Sequence, residues 1–246
     1  MPCAGDPYLA LLDQHIDRLR APTTVHDRLD VLRHLVNFWH GPIRPEDGMS
    51  DEELGGVSLP LPLQWWYRWA GKRVEIMSGQ NFLFAPRNSK NKYRILAVQD
   101  GRLRFYVENQ GVYQWSTLPG GDDPPVFGRY TGQGRWAKEQ ITLSEHLILT
   151  CLLEAIMSHA NCRASAAWLP EEKLHAIGEH IEPLAIRPWR WMQARFFARQ
   201  GAFMCAAPND EVDGTKGYSV WIGAKTASPL QFMKAHVNER WEYVAL

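Results

Sequence analysis

Apolar residues recur at three- and four-residue spacing in "PYLALLDQHIDRLR", where Leu9, Leu12, Ile16 and Leu19 form one stripe. They recur again in "TVHDRLDVLRHLVNFWHG" through Val25, Leu29, Leu32, Leu35, Val36 and Trp39. This period predicts two amphipathic helices within residues 7–40, the second stopped by Gly41 and Pro42. "PEDGMSDEELGGVS" has acids and glycines but no period, and reads as a loop. "LPLPLQWWYRWAGK" reads as a short helix, with prolines suited to its first turn and Gly71 to a left-handed position after its end. From Asn81 the period becomes two. "FLFAP", "KYRILAVQD", "LRFYVEN", "VYQWSTL" and "PVFGRY" are short runs bounded by Gly, Asn, Asp or Pro, which predicts strands. "TLSEHLILTCLLEAIMSHA" reads as a helix, with Thr142 and Glu145 spaced as a capping box. After a shorter helix in "LPEEKLHAIGEHI", strands return. "ARFFARQGAFMCAAP" reads as a hairpin turning at Gln200-Gly201, a helix through Arg195–Arg199 being the alternative. "GYSVWIGAKT" is a further strand. "SPLQFMKAHV" is a final helix, with Ser228 as cap and Pro229 in its first turn.

This order of elements predicts an α+β fold: a single domain over residues 1–246, with a twisted, mostly antiparallel or mixed sheet and helices packed against it. The C-terminal strands and helix span residues 193–237, and no low-complexity linker or firm repeat divides the chain. Lys+Arg and Asp+Glu both number 27, so net charge gives no reason to expect a nucleic-acid or membrane-surface protein. No apolar run of about 20 residues could span a bilayer. Cys3, Cys151, Cys162 and Cys205 form no C-x-x-C pair, and with no signal peptide they read as reduced thiols in a cytoplasmic protein. The 11 tryptophans read as a heavy aromatic core. A stacking platform for a small ligand would need several exposed together.

Chemical motifs are sparse. The histidines include no H-E-x-x-H, and His175 and His180 diverge on a helix. "NDEVDG" (residues 209–214) has oxygens spaced like a calcium loop, but its twelfth place is Val220 rather than a bidentate Glu, so it reads as a turn between strands. "GQGRWA" fits G-x-G-x-x-A, yet no long strand precedes it, and the residues after it read as a turn into the capped helix. Glu171 and Glu172 open a helix, where their charge suits the dipole. Catalytic, metal-ligating and cofactor-binding residues are therefore none.

In "FYVENQGVYQW", alternation places Leu103, Phe105 and Val107 on one strand face and Arg104, Tyr106 and Glu108 on the other. Gly111 permits the positive φ of a reversal, and the Asn109 and Gln110 amides can satisfy backbone groups left open by a turn. These residues also carry a resemblance. "LPLPLQWWYRWAGK", "FLFAPRNS", "VENQGVYQW", "DDPPVF" and "TLSEHLILTCLLEAI" resemble, in order and spacing, the motifs of the SUKH superfamily, the cell-wall-regulator-related domains that often serve as bacterial toxin immunity proteins. The likeness covers about residues 57–156, with "GYSVWIGAKTASPLQFM" similar to the strand and helix that end longer members. It implies a non-enzymatic protein-binding fold in which Glu108, Asn109, Gln110, Gly111 and Trp115 define the fold and a cognate protein toxin, for example a nuclease or nucleotide-modifying one, is occluded elsewhere. A regulatory scaffold binding a host signalling or cell-envelope protein is the alternative, and a small-ligand binder a third. Direct binding of nucleic acid or membrane is not expected. Candidate partner-binding acids are Glu46, Asp47, Glu52 and Glu53 with Asp51 beside them, the Asp122-Asp123 pair, and Asp210, Glu211 and Asp213. Charge reversal at Asp122 and Asp123 is expected to leave the melting temperature nearly unchanged.

Overall fold

The computed structural model describes residues 7–19, 23–86, 95–238 and 240–246. The chain divides into two compact units, Thr24–Glu154 and Met1–Thr23 with Ala155–Leu246. The fold is α+β with antiparallel sheets, as expected. The strands, however, are shared between two sheets, one in each unit, rather than joined in one.

The first helix, α1 (Pro7–Arg18), belongs with the C-terminal unit. There the Asp13 carboxylate accepts the Gln200 N–H at 3.2 Å. In the other unit, α2 (Val25–His40) opens on a Thr24–Asp27 capping box and closes at Gly41, whose φ is +76°. The acidic stretch predicted as a loop holds a 3₁₀ turn (Pro45–Asp47) and a one-turn helix α3 (Asp51–Leu54), the latter framed by a Ser50–Glu53 capping box. Four residues are too few for an apolar period to show. Helix α4 (Leu61–Ala70) lies where predicted, but Gly71 is right-handed, with φ −62°. Its glycine is required by crowding, because an added Cβ would lie 2.6 Å from the Tyr67 carbonyl oxygen.

The first sheet comprises β1 (Phe82–Leu83), β2 (Ala97–Gln99), β3 (Arg102–Val107), β4 (Tyr113–Thr117), β5 (Pro125–Tyr130) and β6 (Ala137–Thr142). Its order is β1-β3-β4-β5-β6, with β2 also paired to β3. Residues 92–94 of the predicted "KYRILAVQD" strand, and 87–89 of "FLFAPRNS", lie outside the described residues. Strand β6 replaces the expected turn into a helix. Its inward positions are Glu139 and Ile141, and the buried carboxylate disguises the alternation. The register of β3 on β4 slips between Arg104 and Tyr106, so Phe105 is a bulge. Both Phe105 and Tyr106 therefore face inward, where strict alternation puts them on opposite faces. Helix α5 (Leu143–Glu154) packs against α2, α4, β5 and β6 and buries every residue except Glu145. A π-turn, Ala155–His159, continues it.

In the C-terminal unit, β7 (Cys162–Pro170), α6 (Glu171–Gly178), β8 (Glu182–Pro183), β9 (Arg195–Arg199), β10 (Ala202–Val212), β11 (Thr215–Ala224) and β12 (Tyr243–Ala245) form a sheet in the order β12-β7-β11-β10-β9-β8, with α6 beside it. Gln200 and Gly201 both have positive φ, 50° and 82°, and turn the predicted hairpin. The helical alternative for 195–199 does not form. "NDEVDG" ends β10 and turns at Asp213-Gly214, again both with positive φ. The last helix is a 3₁₀ segment, Ser228–Ala235, with Ala227 rather than Ser228 at its cap. Met204, Val220, Ile222, Leu230 and Trp241 are among the core residues of this unit. Among the described residues no helix is long and apolar enough to cross a membrane.

Candidate functional site

The Glu108–Gly111 tetrad is a turn organised by one carboxylate. Gly111 has φ +74° and donates its N–H to the Glu108 carbonyl at 2.9 Å. The Glu108 side chain, buried, accepts from the Gln110 N–H at 3.0 Å and the Val112 N–H at 3.1 Å. The Asn109 N–H is taken by the Asn81 side chain at 3.1 Å. Backbone groups are thus satisfied by Glu108 and Asn81, while the Asn109 and Gln110 side chains, expected in that role, point to solvent. Trp115 is fully buried against Tyr106, Tyr113 and His146, with ring centroids 4.8–5.4 Å apart.

The acidic candidates fall into three kinds. Asp123 lies inside: its carboxylate accepts from Arg28 Nη2 at 2.7 Å, the Ser144 hydroxyl at 2.7 Å and the Ser144 N–H at 2.9 Å. It joins α2 to the first turn of α5 and stands where the helix dipole favours an anion. Asp47, Asp51 and Glu53 are paired locally, with Arg73 at 3.7 Å, Arg68 at 2.6 Å and Lys72 at 3.0 Å respectively, and Glu46 lies 3.8 Å from Arg44. Glu52, Asp122, Asp210, Glu211 and Asp213 are exposed. The structure gathers the 46–53 acids beside the end of α4 and sets the 210–213 acids on the β10–β11 hairpin of the other unit.

Two buried ionisable groups lie behind the first sheet. Glu154 accepts from the Gln80 and Asn81 N–H groups and from the Tyr106 hydroxyl. Burial raises its pKa, opposed by those hydrogen bonds. His146 is ringed by Phe105, Tyr106 and Trp115, and burial pushes its pKa down to about 3. It is therefore neutral at pH 7. The Cys151 and Cys205 thiols are buried, and burial pushes both pKa values up, the reverse of a nucleophilic cysteine. Among the described residues no group of His, Cys, Asp and Glu could hold a metal ion. No tryptophan is exposed. Trp39, Trp66, Trp115, Trp189 and Trp241 are buried and the other six half-buried.

The first sheet's other face was missed in the sequence. Cross-strand pairing puts Arg104, Ser116 and Phe127 in one row and Gln114 with Arg129 in the next, with Arg102 two residues before Arg104. The signal was present: arginines at same-face positions of one strand, opposite polar residues in the next. A count over the whole chain averages such local charge away. Comparison with known protein families, curated proteins and solved structures finds no match to this chain.

Proposed function

We propose that this chain is a protein-binding module of the SUKH immunity type, which neutralises a cognate protein toxin by occluding it without chemistry of its own. The observation that carries this reading is how the two sides of the first sheet are used. The residues on which the resemblance rests face inward or close turns: Glu108 and Gly111 form the reversal, Trp115 is core, and Asp123 ties two helices together. The opposite side is a broad polar surface of half-buried arginines and aromatic rings, the composition of a binding surface rather than a catalytic cleft. Neutralisation would require affinity in the nanomolar range, about −12 kcal/mol. Co-expression with the product of the adjacent reading frame, followed by calorimetry on the pair, tests the reading. Growth rescue with tight binding supports it. A neighbour that is harmless and does not bind refutes it.

A further inference from the structure

Arg102, Arg104 and Arg129 each lay a guanidinium over an aromatic ring: Arg102 over Phe127 at 3.5 Å, Arg104 over Phe84 at 5.5 Å and Arg129 over Trp136 at 4.2 Å. Stacking of this kind holds the plane of each guanidinium against its ring. Arg102 Nη1, Arg104 Nε and Arg129 Nε are buried without a hydrogen-bond partner. So are two acceptors on the same face, Gln114 Oε1 and Ser116 Oγ, in side chains 8% and 0% exposed. The Gln114 amide is oriented by its Nε2, which donates to Thr131 Oγ1 at 3.1 Å. Buried polar atoms are ordinarily paired, and these five are gathered on one sheet face. Arg104 and Arg129 are also close enough to repel: burial first, then the Arg129 charge, lowers the Arg104 pKa.

Resting on the protein-binding reading above, we propose that this face is the docking surface for an acidic polypeptide segment, whose side-chain carboxylates engage Arg102, Arg104 and Arg129. A carboxylate matches the arginine fork and can be held by two parallel hydrogen bonds. A polypeptide is preferred to a nucleic acid because side-chain carboxylates match the arginine forks and the protein-binding reading calls for a protein partner. A chain with 27 positive and 27 negative side chains also lacks the excess charge that drives non-specific phosphate binding.

The test uses the full chain, labelled with ¹⁵N-arginine, and a hexaglutamate peptide as probe, read by the side-chain Nε–H resonances. The resonances of Arg104 and Arg129 should shift saturably, with affinity falling at least 10-fold in Arg104→Gln and Arg129→Gln. Neither variant should melt lower than the parent, because each relieves a buried repulsion. A twelve-residue oligothymidylate and inorganic phosphate are the competing probes. No shift with hexaglutamate, an equal shift with either competitor, or unchanged affinity in Arg104→Gln overturns the proposal. The co-expression test separates its failure from that of the functional reading. Neutralisation that survives Arg104→Gln removes this surface and leaves the immunity reading standing. Hexaglutamate binding without any neutralisation does the opposite.

Discussion

Acid should unfold the Thr24–Glu154 unit through His146. The imidazole lies wholly inside, among Phe105, Tyr106 and Trp115, and its pKa is pushed down from 6.5 to about 3 by burial. In the unfolded chain it takes a proton below pH 6.5, whereas in the fold it does not until about pH 3. The unfolded state therefore binds more protons throughout that window, and stability falls as pH falls, by about 1.4 kcal/mol per unit once below pH 6.5. The loss should reach about 2 kcal/mol at pH 5 and about 3 kcal/mol at pH 4. Glu154 works the other way: its raised pKa means that the fold gains relative stability as pH falls from the folded pKa toward 4.5. Because Glu154 opposes His146 below its raised pKa, the difference in slope between the parent and His146→Leu isolates the imidazole. His236, in the other unit, is also lowered by burial, but it is only partly buried and its slope should be smaller. Urea unfolding at pH 7, 6 and 5, with amide exchange at Phe105 and Trp115 as a local readout, measures the effect. His146→Leu keeps the site apolar and should flatten or slightly invert the slope. The same slope in the parent and in His146→Leu refutes the reasoning.

Other substitutions test the elements separately. Glu108→Ala removes the acceptor for two backbone N–H groups. It should cost about 2–3 kcal/mol in urea unfolding, with Glu108→Gln losing about half, because its amide still presents one oxygen. Gly111→Ala meets no atom within 4 Å, so its cost is that of φ +74° alone, about 1–2 kcal/mol. Gly128→Ala should cost more, since the added Cβ would lie 2.2 Å from the Tyr113 hydroxyl; thermal melts of the two variants side by side give the comparison. Asp123→Asn breaks a pair whose side chains are 13% and 11% exposed and should cost about 3–5 kcal/mol. Asp122→Lys, at an exposed position, should stay within about 0.5 kcal/mol. Charge reversal at both aspartates, silent in the sequence-based expectation, should therefore be costly at Asp123, whose carboxylate is held by Arg28 and Ser144, and silent at the exposed Asp122.

Period and turn chemistry were legible wherever a segment answers to its own neighbours. The α2 stripe, the apolar run of α5 and the Gln200-Gly201 hairpin each carry their signal within a few residues, and each formed where expected. What escaped is what only tertiary structure decides. Strand β6 presents Glu139 to the core, which works because Tyr113 donates to it at 3.1 Å from β4. Strand β7 fills its inward positions with Ala164 and Ala166, small residues that give little strand signal although β7 lies between β12 and β11. The Phe105 bulge turns two successive aromatics to one side, and no spacing rule announces it. The role of Asp123 depends on Arg28 and Ser144, 95 and 21 residues away.

The same distinction bears on which charges are left for a partner. A carboxylate already held by two or three donors lowers the energy of the fold, and presenting it to another protein would sacrifice those bonds. Asp123 is such a group, and Asp47, Asp51 and Glu53 are paired more loosely at the surface. The arginines of the first sheet are the converse. They stack on rings, two of them repel, and their edge donors end without acceptors. Three half-buried cations gathered on one face concentrate positive charge there, which a ligand carrying carboxylates would offset. The proposed complementarity therefore runs opposite to an acidic inhibitor meeting a basic nuclease: this protein presents the cations, and its partner's docking segment carries the acids. A toxin still neutralised when Arg102, Arg104 and Arg129 are all replaced by glutamine would show that assignment to be mistaken.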